Sequence, residues 1–329
     1  MTIGFNFATL TAMERISSFD KMVMRGYSGT QELEDFRIEL GRTRMADGGL
    51  PMDNELKKTP AQLEICRLMN VLTNTLLERH GLKPLDVPPE NMHIFGNNLS
   101  LDGSEIGGIF LPPDQLTIVR EGRSLIEFAD FVAHELIHFK SFGAVQVPSG
   151  ADDLDFEYRS GFSAHSRDGK RSFFHAIDEA LTEQLSKGLV ESLKTSGNSL
   201  LADEVEEMQR VLAEYGQNPE FATDVMTARY LEDGHPMKGR YNVMATHYIY
   251  QEERAILNSL IDKIFSKNSG RFTTKEEVFD LFAKGKLQGN FLGIGKVIER
   301  TFGKGTFRKL GEVSNLKDTA EYKTFVERL

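Results

Sequence analysis

Phe131-Val-Ala-His-Glu-Leu-Ile-His-Phe-Lys140 is the stretch whose reading decides this chain, because it sets two histidines four residues apart with a glutamate directly after the first. The surroundings are apolar at helical spacing. Upstream, Ser124 precedes Leu125-Ile126-Glu127, an S-x-x-E capping box, so a helix is expected from Ser124 to about Phe142, where Gly143 and later Pro148 stop it. Residues four apart share one face of a helix. His134 and His138 can therefore turn both imidazoles onto a single cation, while Glu135 points toward the same open side.

Outward from this helix the texture changes. Residues 10–85 read mostly as helix, clearest between Pro60 and His80, where Leu63, Cys66, Val71, Leu72, Leu76 and Leu77 recur at helical spacing and Gly81 follows as a stop. Pro84, Pro88 and Pro89 then mark a boundary near residue 88. Residues 92–95, 106–111 and 115–119 are expected to be strands, the last two joined by a turn at Pro112-Pro113-Asp114. Downstream of the motif, 156–163 and 171–174 flank Asp168-Gly169, a hairpin signal. From Ala176 onward the pattern is almost entirely helical, over 178–194, 199–215, 219–231, 241–265 and 274–283, with Thr274 and Glu277 forming a further capping box. The expected fold class is α+β: a small mixed sheet packed on the motif helix in 89–178, between a helical N-terminal region, 1–88, and a mainly helical C-terminal part, 179–329.

Composition narrows the function. The 329 residues are 40% hydrophobic and include 23 Phe, enough for a substantial core. Acidic side chains number 49 against 39 basic, a formal charge of -10, so the surface repels phosphate backbones and nucleic acid is not an expected partner. No run approaches the roughly 20 apolar residues of a membrane span. The N-terminus has no basic region ahead of an apolar stretch, so a signal peptide is not evident and the cytoplasm is the expected compartment. Cys66 is the single cysteine. It is read as a small core residue, which removes disulfides and thiolate metal ligation from consideration.

A catalytic zinc usually takes three protein ligands and leaves a position for water. The run Ala176-Ile-Asp-Glu-Ala-Leu-Thr-Glu183 places Glu179 and Glu183 one turn apart on a second helix. Together with H-E-x-x-H, this run resembles the N-E-x-x-S/T-D/E signature of the gluzincin metallopeptidases, the thermolysin-like zincins. The resemblance implies a zincin-like fold, Glu179 as third ligand beside His134 and His138, and Glu183 as the partner of His134. A carboxylate in that outer position accepts the free ring N–H of a ligating histidine and fixes its tautomer and orientation. Asp178 stands where the family usually has Asn, and its expected contact is the backbone of the motif helix, where an ionised Asp can only accept hydrogen bonds. The order of Gly107-Gly-Ile-Phe-Leu111, the next strand and the motif helix is similar to the zincin order of edge strand, adjacent strand and active-site helix. Gly107, Gly108, Ile109 and Phe110 are accordingly expected to hold an extended peptide by backbone pairing.

The resemblance implies Zn2+ as cofactor and hydrolysis of a peptide or protein substrate, with Glu135 as general base and then proton donor to the leaving amine. Gluzincins stabilise the carbonyl oxygen with a His or Tyr from the C-terminal part. The stretch from Tyr241 to Arg254, expected to be helical, offers Tyr250 first and His247 second. His165 and His175 are nearer in sequence and can line the cleft, although they, like His80, His93 and His235, are read as incidental histidines. The alternative reading is a zincin-like peptide-binding protein with a bound zinc and no hydrolytic activity. An intact Glu135 argues against it, since a purely structural site needs no base. Oligomeric state is not legible.

Overall fold

A computed structural model of the chain describes residues 21–24, 54–101, 104–111, 116–146, 156–166, 170–218, 221, 223–231, 233 and 242–329. Among these residues the architecture is mixed α+β, with small sheets and a majority of helix.

The first long helix, α1 (Pro60–Arg79), starts where the sequence places it: Thr59 Oγ1 accepts the Gln62 N–H and the Gln62 side chain accepts the Thr59 N–H. It is followed by β2 (Met92–Phe95), the two-residue strands β3 (Ser100–Leu101) and β4 (Ser104–Glu105), then β5 (Gly108–Leu111) and β6 (Leu116–Arg120). The order is β2-β6-β5; β2 runs parallel to β6, and β5 lies antiparallel at the edge with Ile109 opposite Ile118. The motif segment is α2 (Leu125–Lys140). Met92, Ile94 and Val119 of the sheet pack on Ile126, Phe128, Phe131 and Val132 of α2, and Ile65, Cys66 and Met69 of α1 belong to the same buried cluster. Each such side chain taken from water contributes about 1.5–3 kcal/mol. Where α1 crosses the end of α2, the Lys140 ammonium donates to Asn70 O, Thr73 Oγ1 and Asn74 Oδ1, and burial pulls its pKa down to about 7.

A second sheet brings together β1 (Lys21–Met24), β7 (Gly143–Gln146), β8 (Phe156–Ser160), β9 (Ser163–His165) and β10 (Ser172–Phe173) in that order, all antiparallel. From β10 the chain enters α3 (His175–Thr195), whose first half packs Ile177 and Leu181 into a C-terminal core with Phe162, Phe282 and Tyr322, while Val190 and Leu193 further along join the cluster around α2. The C-terminal core is closed by α5 (Gln251–Lys267), α6 (Lys275–Gln288), α7 (Phe291–Phe302), α8 (Thr306–Val313) and α9 (Thr319–Arg328). Helix α4 (Ala202–Tyr215) lies against a two-stranded ribbon, β11 (Val225–Tyr230) and β12 (Val243–His247), burying Met208 and Val211 against Ala228 and Val243. Helices α2 and α3 thus sit side by side, each with one flank in a core.

Four expectations fail here. The helix expected over 219–231 is strand β11, whose Val225, Thr227 and Tyr230 suit a pleated surface; its partner β12 falls inside the helix expected over 241–265, which begins only at Gln251. The break between β12 and α5 is made by Tyr250 in a left-handed conformation at φ 52°, a turn that no Gly, Asn or Pro advertises. The helical reading of 10–85 is interrupted by β1, a four-residue run too short for periodicity to separate strand from helix. The turns at Pro112-Pro113-Asp114 and Asp168-Gly169, along with His235, lie outside the described residues; β5 and β6 pair antiparallel as the first hairpin requires, while the strand expected over 156–163 breaks at Gly161-Phe162 into β8 and β9, and it is β9 that pairs antiparallel with β10.

Candidate metal centre

Ser124 does cap α2, its Oγ accepting the Glu127 N–H at 3.1 Å, but the Glu127 side chain turns away to the Arg123 N–H and Arg120. The first-turn N–H groups of Leu125 and Ile126 instead donate to the two oxygens of Glu204, on α4. A negative charge at a helix N-terminus is favoured by the helix dipole as well as by these bonds. The start of the motif helix is thereby fixed from both sides, and with it the bearing of His134, Glu135 and His138.

His134 Nε2 lies 3.2 Å from His138 Nε2 and 3.3 Å from Glu179 Oε2, and His138 Nε2 lies 3.5 Å from the same oxygen. Donor atoms about 2 Å from a tetrahedral zinc are roughly 3.3 Å apart. The three donors therefore already sit at the spacing one small cation demands, and His134, His138 and Glu179 can hold a metal ion. All three are nine-tenths buried or close to it.

The outer contacts orient these donors. Glu183, fully buried, takes His134 Nδ1 on Oε2 at 2.9 Å and the Ile249 N–H on Oε1 at 2.9 Å. Asp178 does not meet the motif-helix backbone as expected: its Oδ2 lies 3.5 Å from His138 Nδ1, while Oδ1 accepts the Phe162 N–H and pairs with Lys286 Nζ. The α2–α3 crossing brings Asp178 onto the second histidine's ring. Burial works against a charge on His134, but Glu179 and Glu183 outweigh it and hold its pKa well above the ordinary histidine value. Burial and then Lys286 push His138 down. For Glu179, burial is overcome by the two histidines, which hold it well below the usual carboxylate range. For Glu135, burial outweighs the pull of the His134 charge and raises its pKa to about 8.

A cavity of about 240 Å³ opens over these residues, lined by Gly108, Ile109 and Phe110 of the edge strand, by Glu135 and the three donors, by Ser160, Ser163, His165 and His175, and by Tyr250. Gly107 is not among them. Its place is set by Phe131, whose ring would lie 2.6 Å from a Cβ there, whereas a Cβ on Gly108 would lie 2.7 Å from Glu135 Cγ. Tyr250 stacks on the His134 ring with centroids 6.0 Å apart, and its hydroxyl bonds to Glu179. Burial, then Glu179 and Glu135, keep that phenol protonated far into the alkaline range. His247, the second candidate, lies on β12 opposite Val225 and does not line the cavity, because the expected helix there is a strand.

The Tyr248–Tyr250 turn has a clamp that sequence reasoning missed. Arg254 donates Nε to Ile249 O at 3.0 Å and pairs with Asp224, which also pairs with Lys187. Asp224 itself has a positive φ of 62°. His165 and His175, read as incidental, do line the cleft; His175 stands one helical turn before Glu179, with Nδ1 4.0 Å from Oε1.

Comparison with protein-family models, with curated protein sequences and with solved structures gave no match to this chain.

Proposed function

We propose that this protein is a zinc-dependent peptidase with a gluzincin-like centre and a zincin-like fold, hydrolysing a peptide or protein substrate. The observation that carries the reading is the 3.2–3.5 Å spacing of His134 Nε2, His138 Nε2 and Glu179 Oε2, with Glu135 beside them in an open cleft. Two imidazoles and one carboxylate suit zinc by donor type. A zinc ion held there supplies a Lewis acid that polarises a carbonyl and lowers the pKa of water toward neutrality.

The chain's own residues supply the rest. Glu135 accepts a proton from the attacking water and returns it to the leaving amine. Its carboxylate is buried beside the metal donors, and Gly108 leaves it room. Tyr250 lines the same cleft, and its hydroxyl, bonded to Glu179 here, exchanges that bond for one donated to the substrate's carbonyl oxygen as charge develops there. Among the described residues strand β5 forms the edge of the three-stranded sheet, and Gly108, Ile109 and Phe110 on it line the cleft, so an extended peptide can add to it as a further strand.

The test is metal content together with cleavage of a diverse peptide library by wild type and Glu135→Gln. The expected result is one zinc per chain and cleavage that falls at least a hundredfold in Glu135→Gln with zinc retained. Zinc without Glu135-dependent cleavage would leave a peptide-binding protein. Glu179→Ala should lose stoichiometric zinc; if it keeps the metal, the ligand assignment fails.

A further inference from the structure

Lys286 is fully buried on α6, and its Nζ lies 2.8 Å from Asp178 Oδ1, 108 residues away in sequence. A buried ion pair is weak evidence for stability, because desolvation of both charges offsets their attraction. The geometry gives this one another purpose. Oδ1 of Asp178 is held twice, by Lys286 and by the Phe162 N–H, which leaves Oδ2 turned to His138 Nδ1. We propose that Lys286 is a positioning residue for the metal centre: by anchoring one oxygen of Asp178 it turns the other onto the His138 ring, and so aims His138 Nε2 at the metal. This deepens the zinc reading above and rests on it.

The surroundings fix where the ammonium can sit. The Phe142 N–H, just past the end of α2, donates to Lys286 O at 3.1 Å, and the Gly161 N–H donates to Phe142 O at 2.7 Å. Arg159 ties the same turn to the end of α6: Nε donates to Gly161 O, Nη1 to Gly289 O and Nη2 to Gly285 O, with the guanidinium 3.4 Å over the Phe291 ring. Gly161 has φ +56°, and a Cβ there would lie 2.5 Å from Asp178 Oδ1 and 2.9 Å from Lys286 Nζ. The turn is therefore shaped around the ion pair, and α6, the 160–163 turn and the end of α2 form one unit that delivers a cation to the back of a ligand's partner.

The test separates orientation from stability. Zinc affinity is measured by competition with a chromogenic chelator for wild type, Lys286→Met and the double variant Asp178→Leu/Lys286→Met, with His138→Ala as the control for the zinc reading itself. The double variant removes both charges together, so the net field at the metal changes little, and apolar replacement of a buried pair is often neutral for stability. Expected are a metal-free melting temperature of the double variant a few degrees below that of wild type, because the Phe162 N–H loses its acceptor, zinc binding weakened about tenfold in both variants, the low end of the effect of losing an outer partner, and an altered cobalt(II) absorption spectrum. Should Lys286→Met not fold, the double variant carries the test. Zinc affinity in the double variant within twofold of wild type, while His138→Ala loses the metal, would overturn the proposal and leave the zinc reading standing. A wild-type protein that binds no zinc would overturn both.

Discussion

Replacing Glu183 by glutamine keeps the shape of the side chain and removes one of its two acceptors, which makes it a sharp probe of the metal centre. Both carboxylate oxygens are engaged, one with His134 Nδ1 and one with the Ile249 N–H, each at 2.9 Å, and the side chain is 0% exposed. A glutamine offers one carbonyl and one NH2. If the carbonyl keeps the Ile249 N–H, the NH2 faces His134 Nδ1, which must then accept, and the ring proton moves to Nε2, the atom that faces His138 and Glu179. If the carbonyl turns to His134, the NH2 meets the Ile249 N–H and a buried donor is left unpaired, at about 1–3 kcal/mol. The less costly branch sets the outcome. Its range overlaps the 10–100-fold loss of metal affinity, about 1.4–2.7 kcal/mol, that follows removal of an outer hydrogen-bond partner. Zinc affinity of Glu183→Gln is therefore expected to fall by one to two orders of magnitude in a chelator competition at neutral pH. At saturating zinc, the zinc-induced gain in unfolding free energy should shrink by about 1.4 kcal/mol for each tenfold. Affinity within twofold of wild type would refute the reasoning, because His134 would then hold its tautomer without Glu183.

Other perturbations read other parts of the molecule. In Gly108→Ala the new methyl group meets both Glu135 Cγ and the backbone oxygen of Ile118, 2.8 Å away, so rotating Glu135 alone cannot relieve it; peptide cleavage should drop at least tenfold with zinc stoichiometry intact, and unchanged cleavage would argue against Glu135 as the base. Burial raises the Cys66 thiol from 9.0 to about 12, so the folded state keeps a proton that the unfolded state releases, and stability is lost as pH rises above about 9. Between neutrality and pH 10 this amounts to about 1.4 kcal/mol, seen as a flatter alkaline limb in denaturant titrations of Cys66→Ala than of wild type; parallel limbs would contradict it. Arg254→Met leaves the Ile249 carbonyl without its donor and Asp224 with Lys187 alone, and should cost about 1–3 kcal/mol in chemical unfolding. It should also lower cleavage more than zinc affinity, since the turn it holds carries Tyr250; equal losses would mean that the clamp serves Glu183 alone.

What the sequence disclosed of the site is what helical geometry makes local. The four-residue spacing of His134 and His138, and of Glu179 and Glu183, needs only 3.6 residues per turn to bring each pair onto one face, and Ser124 marked the start of the motif helix. Strands β2, β5 and β6 announced themselves through short apolar runs set off by Gly and Pro. The rest depends on contacts between distant segments. Glu204 meets the motif helix from 79 residues away, and Lys286 reaches Asp178 across 108. A signal for Lys286 did exist: Val278, Phe282 and Lys286 follow at four-residue steps, so the lysine continues a buried apolar stripe on α6 where a lone cation asks for a buried anion. The resemblance points to Tyr250, but no comparable signal marks the turn that places it. A tyrosine in the left-handed region is held by its clamp rather than by its own preference, and the ribbon of β11 and β12 resembles an amphipathic helix until its partner strand is known.

The separation of the ligands along the chain imposes an order on synthesis. The histidine pair leaves the ribosome first, and Glu179 follows His134 after 45 residues, an interval of roughly 2–9 s at ordinary elongation rates. During that interval the nascent chain can present two imidazoles but not the carboxylate that completes the set, and the cap from Glu204 arrives later still. Lys286 comes last of all. On the proposed reading, a ribosome-bound chain ending before residue 179 would offer two donors and exchange its metal freely, and retention of the ion would begin only when the second helix docks. On the same reading, acquisition of the ion would in this sense be a late step of biogenesis, timed by chain length rather than by metal supply.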